Sequence, residues 1–227
     1  YHTHLVNKSK FIIVAVDGGA AAGKSSTSRA LSQRFGLMHV DTGSFYRATT
    51  LKLMEVAVSH EDEAAVSDAL SKITIGTSIS GNTAYITVDG RIPNASIRSQ
   101  AVNEKVSKYA ALPKLRTFLL DYQRSQVEVA RTNGFNGLIM EGRDIGSVIF
   151  PNADLRLYLF ADPAKRAQRR AQEGISDSIK KRDQMDSSRK IAPLQCPKGA
   201  SLLDSSDMSL DEVVEKVSSW IEEIISP

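Results

Sequence analysis

The chain has 227 residues, 41% of them hydrophobic, enough to bury a real core and most simply one α/β domain with insertions. Its 29 basic and 26 acidic residues leave a net charge of only +3, so bulk charge gives no footing for a nucleic-acid polymer as partner. The single Cys196 excludes an intramolecular disulfide framework and fits a reducing, cytoplasmic setting, and His2, His4, His39 and His60 show no metal-ligand spacing.

In chain order, YHTHLVNKSK (1–10) reads as a loose polar leader. FIIVAV (11–16) is a short β-rich apolar run of the buried-strand type, too short and too soon interrupted for a signal h-region or a membrane span, so a soluble protein without membrane contact is expected. Next comes GGAAAGKS (18–25), which satisfies GxxxxGK[ST] and leads into helix formers over 25–34. Strand, glycine loop and helix follow in the order a phosphate cradle requires. Its members are Gly18, Gly19, Ala20, Ala21, Ala22, Gly23, Lys24, Ser25 and Ser26. Small residues let consecutive backbone N–H groups face an anion, Lys24 is expected to reach the β- and γ-phosphates of ATP, and Ser25 is expected on Mg2+.

LMHVD (37–41), GLIME (137–141) and LRLYLFA (155–161) are further short apolar strands, alternating with helical stretches as in a doubly wound sheet. Between 59 and 98 the texture changes: acidic HEDEAAVSDAL is followed by an alternating segment that turns at SGN and VDG like antiparallel hairpins, read as an inserted subdomain. A long helical pattern over 100–131 is broken once, at Pro113. SLDEVVEKVSSWIEEIIS (209–226) is an amphipathic final helix opening on a capping box of Ser209 and Glu212.

A phosphate loop alone admits kinases, switch GTPases and motor or transport ATPases. No Asp is followed by Gly three residues later, and the only Asn-Lys, Asn7-Lys8, precedes the loop, which removes the switch GTPase. What remains are arginines beside carboxylates in VDTGSFYR, MEGRDIG and KKRDQMDSSR. Each has a structural reading of its own: a capped helix start, a salt-bridged turn, a solvated helix face. Together they supply what phosphoryl transfer needs, namely several cations around two positioned anions. When the acceptor is a monophosphate, its second pKa of ~6 leaves the attacking oxygen already ionised at pH 7, and no general base is required. In RDQMDSSR, Arg182, Asp186 and Arg189 fall at i, i+4 and i+7, which predicts one helical face.

The phosphate loop, DTGSFYR, IRS (97–99), EGRDIG with VIFPNAD, and RDQMDSSRKIAPL occur in the order and texture of bacterial cytidylate kinases, and the chain resembles that family from Phe11 to its end. The resemblance implies a P-loop three-layer α/β/α fold with a parallel core sheet. The core would span 1–58 and 99–227, with a short lid at about 172–190 and a β-containing NMP-binding insert at 59–98. It implies transfer of the γ-phosphoryl group of ATP to CMP or dCMP in pyrimidine nucleotide metabolism, by a monomer. Lys24, Arg143, Arg182 and Arg189 would be catalytic, and Thr42, Tyr46, Arg47, Ser107, Arg116, Arg143, Asp144, Arg182, Asp186 and Arg189 would hold the acceptor. Of these, Arg47, Arg143 and Arg189 would clamp its phosphate, Arg182 with Asp186 would reach the ribose and close over the phosphates, and Asp144, Ser107 and Arg116 would read cytosine. Three positions depart from the family pattern: Gly19 in place of a proline, Ser26 in place of threonine, and Glu141 in place of an aspartate. The segment from Arg170 to Arg182 is also shorter than in most relatives.

Overall fold

The computed structural model describes residues 10–172, 174 and 178–226. Nine of the ten leader residues, and residues 173 and 175–177 of the expected lid, lie outside them. The elements run β1 (Ile12–Asp17), α1 (Lys24–Phe35), β2 (Leu37–Asp41), α2 (Thr42–Glu55), α3 (Glu63–Ser71), β3 (Ile75–Ser80), β4 (Thr83–Val88) and a 3-10 turn (Ala95–Arg98). They continue with α4 (Gln100–Ala110), α5 (Pro113–Thr132), β5 (Gly137–Gly142), a π-helical turn (Ile145–Ile149), β6 (Leu155–Phe160), α6 (Pro163–Gln172), α7 (Ile179–Ser187), β7 (Ser201–Asp204) and α8 (Leu210–Ile225).

One seven-stranded sheet has the order β3-β4-β2-β5-β1-β6-β7, parallel throughout except for the β3/β4 hairpin. Alternation along the strands divides the apolar side chains between two faces. Ala15, Met38, Val40, Leu138 and Met140 pack with α2, α4 and α5, whereas Val14, Val16, Leu37, Ile139 and Leu157 pack with α1 and α8. This is the expected three-layer arrangement. Helix α1 brings only Leu31 to its buried apolar face, beside the small Thr27 and Ser28, so its backbone lies close to the sheet. Pro113 occupies N1 of α5, where its missing N–H costs nothing, and the Ser209–Glu212 capping box opens α8 as expected.

Two expectations are modified. The 75–88 hairpin continues the central sheet, β4 pairing with β2 at His39↔Thr83 and Val40↔Ala84. Helix α7 stops at Ser187, so Arg189 lies beyond it rather than on its face. Two consecutive serines favour a helix end, and the chain then folds back until the Leu194 N–H donates to the Asp186 carbonyl at 2.8 Å. Arg189 still meets that turn, its Nε donating to the same carbonyl at 3.0 Å.

Registers Asp41↔Glu141 and Asp17↔Gly142 align the carboxyl ends of β2, β5 and β1 along one edge. The order change around β1 opens a crevice there, the usual place for a ligand in such a sheet.

Candidate active site

The phosphate loop leaves β1 at that edge. At Gly18 an added Cβ would lie 2.1 Å from the Leu159 carbonyl oxygen, and Gly23 takes φ 93° just before α1, so neither position admits a side chain without strain. Lys24 folds back over the loop, its Nζ donating to the carbonyls of Gly18 and Gly19 at 2.8 and 2.7 Å. Burial, followed by the nearby Arg143, brings the Lys24 ammonium down to a pKa of about 7. The Ala20 N–H is met at 3.1 Å by the Asp183 carboxylate of α7, which also pairs with Arg166 of α6. Gly19 makes room for this contact, since a Cβ there would come within 2.9 Å of both partners.

Across the crevice lies a cavity lined by Thr42, Tyr46, Arg47, Ser107, Arg143, Asp144, Arg182, Asp186 and Arg189, nine of the ten expected acceptor residues. The tenth, Arg116, stands behind Asp144: it pairs with that carboxylate, donates to the Ala110 carbonyl at 2.8 Å, and lies 5.2 Å from the Tyr46 ring centroid. Both members of the pair are buried, Arg116 at 8% and Asp144 at 3% exposure. Arg47 is held by Asn103 Oδ1 at 2.6 Å and the Ile97 carbonyl at 3.1 Å. Burial, with Arg182 and Arg98 nearby, lowers its pKa to about 9. Burial alone would raise the Asp186 carboxyl, but Arg143, Arg189 and Arg182 override it and hold Asp186 below its usual range. Arg143 Nε donates to Asp186 at 3.0 Å. So many cations around so few carboxylates leave a site short of negative charge, which phosphate oxygens would supply.

Lys24, Ser25, Asp41, Glu141, Arg47, Arg143 and Arg182 line a second cavity, between the loop and the acceptor pocket. Ser25 Oγ donates to Glu141 Oε2 at 2.8 Å, and Glu141 Oε1 meets His39 Nε2 at 2.7 Å. On the other side of the loop, Ala21, Ala22, Gly23 and Ser26 wall a cavity of about 360 Å³ together with Leu159, Arg169, Ser205, Met208 and Val213.

Residues 14–223 match the family described as Cytidylate kinase. The chain belongs to the cytidylate kinase family. It is 39% identical over 219 residues to a protein named cytidylate kinase from Streptomyces avermitilis, covering 93% of each chain. Identity is 37% to that of Nocardia farcinica, with 95% of each covered, and 38% to that of Chlorobaculum tepidum, with 96% of each covered.

Sequence reasoning missed several residues that the fold of this chain brings to the crevice. Arg166 and Arg169 fall in PAKRAQRRAQ, whose basic spacing at i, i+3 and i+4 was a usable signal. Arg98, which lines the central cavity and pairs with Asp41 at 3.0 Å, ends the IRS segment's 3-10 turn. His39 gave no signal, because its partner Glu141 is distant in sequence, and Asp183 stands out only as part of KKRDQMDSSR. Among the described residues no group of three or more His, Cys, Asp or Glu could hold a metal alone, and no helix is long and apolar enough to cross a membrane.

Proposed function

We propose that this chain transfers the γ-phosphoryl group of ATP to CMP or dCMP, giving ADP and CDP or dCDP. The observation that carries the choice of acceptor is the buried Arg116–Asp144 pair beside a cavity rimmed by Arg47, Arg143, Arg182 and Arg189. Cytosine offers an N4 amine as donor, which suits the Asp144 carboxylate in the cavity wall, while Arg116 behind it holds that carboxylate in place. Uracil would present O4 to the Asp144 carboxylate, an unpaired buried contact costing about 1–3 kcal/mol. Ser107 lines the same cavity and completes the set of polar groups toward the base.

The acceptor phosphate binds among Arg47, Arg143 and Arg189, while Arg182 and Asp186 reach the ribose and the transferring group. Lys24 leaves the Gly18 and Gly19 carbonyls for the β- and γ-phosphates, where a neighbouring anion restores its full charge. The adenosine end fits the cavity walled by Arg169, Ser205 and Met208, beside the N-terminal end of α1. Mg2+ suits the oxygen donors that share the central cavity, Ser25 Oγ and the Asp41 carboxylate, with nucleotide phosphates completing its coordination. When bound it neutralises charge on the β- and γ-oxygens. Because the acceptor oxygen is already ionised at pH 7, positioning and charge neutralisation carry the rate, and no side chain need remove a proton.

We assign the lid to about 172–190, and the NMP-binding insert to 59–98 with Arg98 as its contribution to the phosphates. The reading includes a monomer working in the reducing cytoplasm. ADP release measured across CMP, dCMP, UMP, AMP and shikimate tests it. Turnover should depend on CMP or dCMP, with weaker use of UMP. ATP turnover indifferent to any added monophosphate would overturn the transferase reading.

A further inference from the structure

Glu141 and His39 are both shut away from solvent, at 2% and 0% exposure, on adjacent strands. The β2/β5 register pairs His39 with Ile139 and Asp41 with Glu141, so His39 and Glu141 are diagonal neighbours on the face toward α1. At that separation only long side chains touch. The glutamate arm spans the gap and ends with one oxygen on His39 Nε2 at 2.7 Å and the other on Ser25 Oγ at 2.8 Å. An aspartate, one methylene shorter, would hold one partner and lose the other.

The proton positions follow from the acceptors. A buried carboxylate takes hydrogen bonds from both neighbours, so Nε2 carries the hydrogen and the serine hydroxyl points its own at Oε2. His39 Nδ1 has no partner among the described residues. A bare lone pair there costs less than an N–H in the same apolar surroundings, which favours the ring hydrogen on Nε2. With its hydrogen committed to Glu141, Ser25 turns its lone pairs away from the carboxylate, into the cavity shared with Lys24 and Asp41.

We propose that His39 is a positioning residue for the metal-nucleotide site: it fixes the Glu141 carboxylate, which in turn orients the Ser25 hydroxyl as an oxygen donor to the cation. The inference rests on the kinase reading above. Neighbours of metal ligands that lock their orientation characteristically contribute 10–100-fold to metal affinity, and His39 stands one bond further out, so the effect expected is about tenfold.

The test uses His39→Gln and His39→Asn. A glutamine amide nitrogen reproduces the position of Nε2, while that of asparagine falls near Nδ1, short of Glu141; both keep a polar group of similar size in the strand. Mn2+ binding to the protein–ADP complex, followed by the loss of the free-ion paramagnetic resonance signal, reads the site without turnover. His39→Asn should weaken Mn2+ about tenfold, with ADP binding in EDTA changed less than twofold, and His39→Gln should stay within about threefold of the parent. In a Glu141→Asp background, His39→Asn should add little, because the link it breaks is already broken. Equal Mn2+ affinity in the Asn and Gln variants, or an undiminished Asn effect in the Glu141→Asp background, would overturn the role of His39. An unmutated chain that binds Mn2+–ADP normally yet makes no CMP-dependent ADP would instead overturn the kinase reading and leave the His39 result standing.

Discussion

Lys24 carries a charge that the fold makes costly unless a ligand is present. Burial has lowered the Lys24 pKa to about 7, and a neutral amine satisfies the Gly18 and Gly19 carbonyls with its two N–H groups. At pH 8 most of the free chain therefore carries Lys24 uncharged, and bound phosphates raise its pKa again. The sign follows: ADP binding at pH 8 should be accompanied by net proton uptake at Lys24. Calorimetry in two buffers of different ionisation enthalpy measures this. The uptake should vanish in Lys24→Arg, whose guanidinium never discharges, and a parent chain that takes up no proton would contradict the assignment. Lys24→Ala should leave the fold intact and nearly abolish transfer. Asp144 faces a different choice. Asp144→Asn exchanges an acceptor-only carboxylate for an amide whose NH₂ can turn to uracil O4, so the CMP to UMP ratio of kcat/KM should fall about tenfold, near 1.4 kcal/mol. Because Arg143 adjoins it, both rates can drop together, and an unchanged ratio is the result that would remove Asp144 from base reading. Residues of this kind were legible where one contiguous motif carries the chemistry, as in the phosphate loop, or where the family resemblance named them, as with Asp144 and Arg116. His39 was not legible, since its meaning depends on Glu141, 102 positions away.

At the scale of elements, Asp17 decides how β1 delivers the loop after β5. Its two carboxylate oxygens accept the Ile145 and Gly146 N–H groups at 2.8 and 2.7 Å, anchoring the π-helical turn that follows Arg143 and Asp144. Burial raises the Asp17 carboxyl to a pKa of about 6 despite those bonds. Between the unfolded value near 4 and that of the folded state, the folded chain holds a proton that the unfolded chain has lost. Stability from this group therefore grows as pH falls from 7 to 5, by on the order of 1 kcal/mol. Asp17→Asn removes the titration and offers one acceptor to two donors. Denaturant unfolding should show the variant about 1–3 kcal/mol less stable at pH 7, with the gap to the parent wider at pH 5. A gap that narrows on acidification would show that Asp17 does not titrate as its burial requires. The elements themselves were mostly readable. Short apolar runs gave β1, β2, β5 and β6 to within a residue, and Pro113 separated α4 from α5. SLLD was passed over because four residues carry too little pattern, though in the fold it pairs with β6 over Leu157–Phe160. The end of α7 was misplaced because charge spacing continued past Ser187 while two serines and the return toward Leu194 had already ended the helix.

For the molecule as a whole, the central crevice concentrates cations that the modest net charge of +3 conceals. Arg189 shows the cost most plainly. Burial, opposed by the Asp186 charge and aided by Arg116, lowers its pKa, and its Nη2 has no hydrogen-bond partner among the described residues. A half-buried, incompletely bonded charge spends stability that a bound anion returns. CMP should therefore stabilise the folded chain strongly: at 100 times its Kd, linkage gives about 2.7 kcal/mol. For a chain of this length that is a rise in Tm of roughly 5–10 °C. Arg189→Met keeps the length and apolar stem of the side chain without the charge. The unliganded variant should melt no lower than the parent, and at the same CMP concentration it should lose most of the shift, because the phosphate has lost one of its clamps. Scanning calorimetry of both proteins, with and without CMP, separates the two effects. A variant that melts several degrees lower when unliganded would mean that Arg189 supports the fold, whereas an undiminished CMP shift would place the acceptor phosphate away from Arg189 altogether.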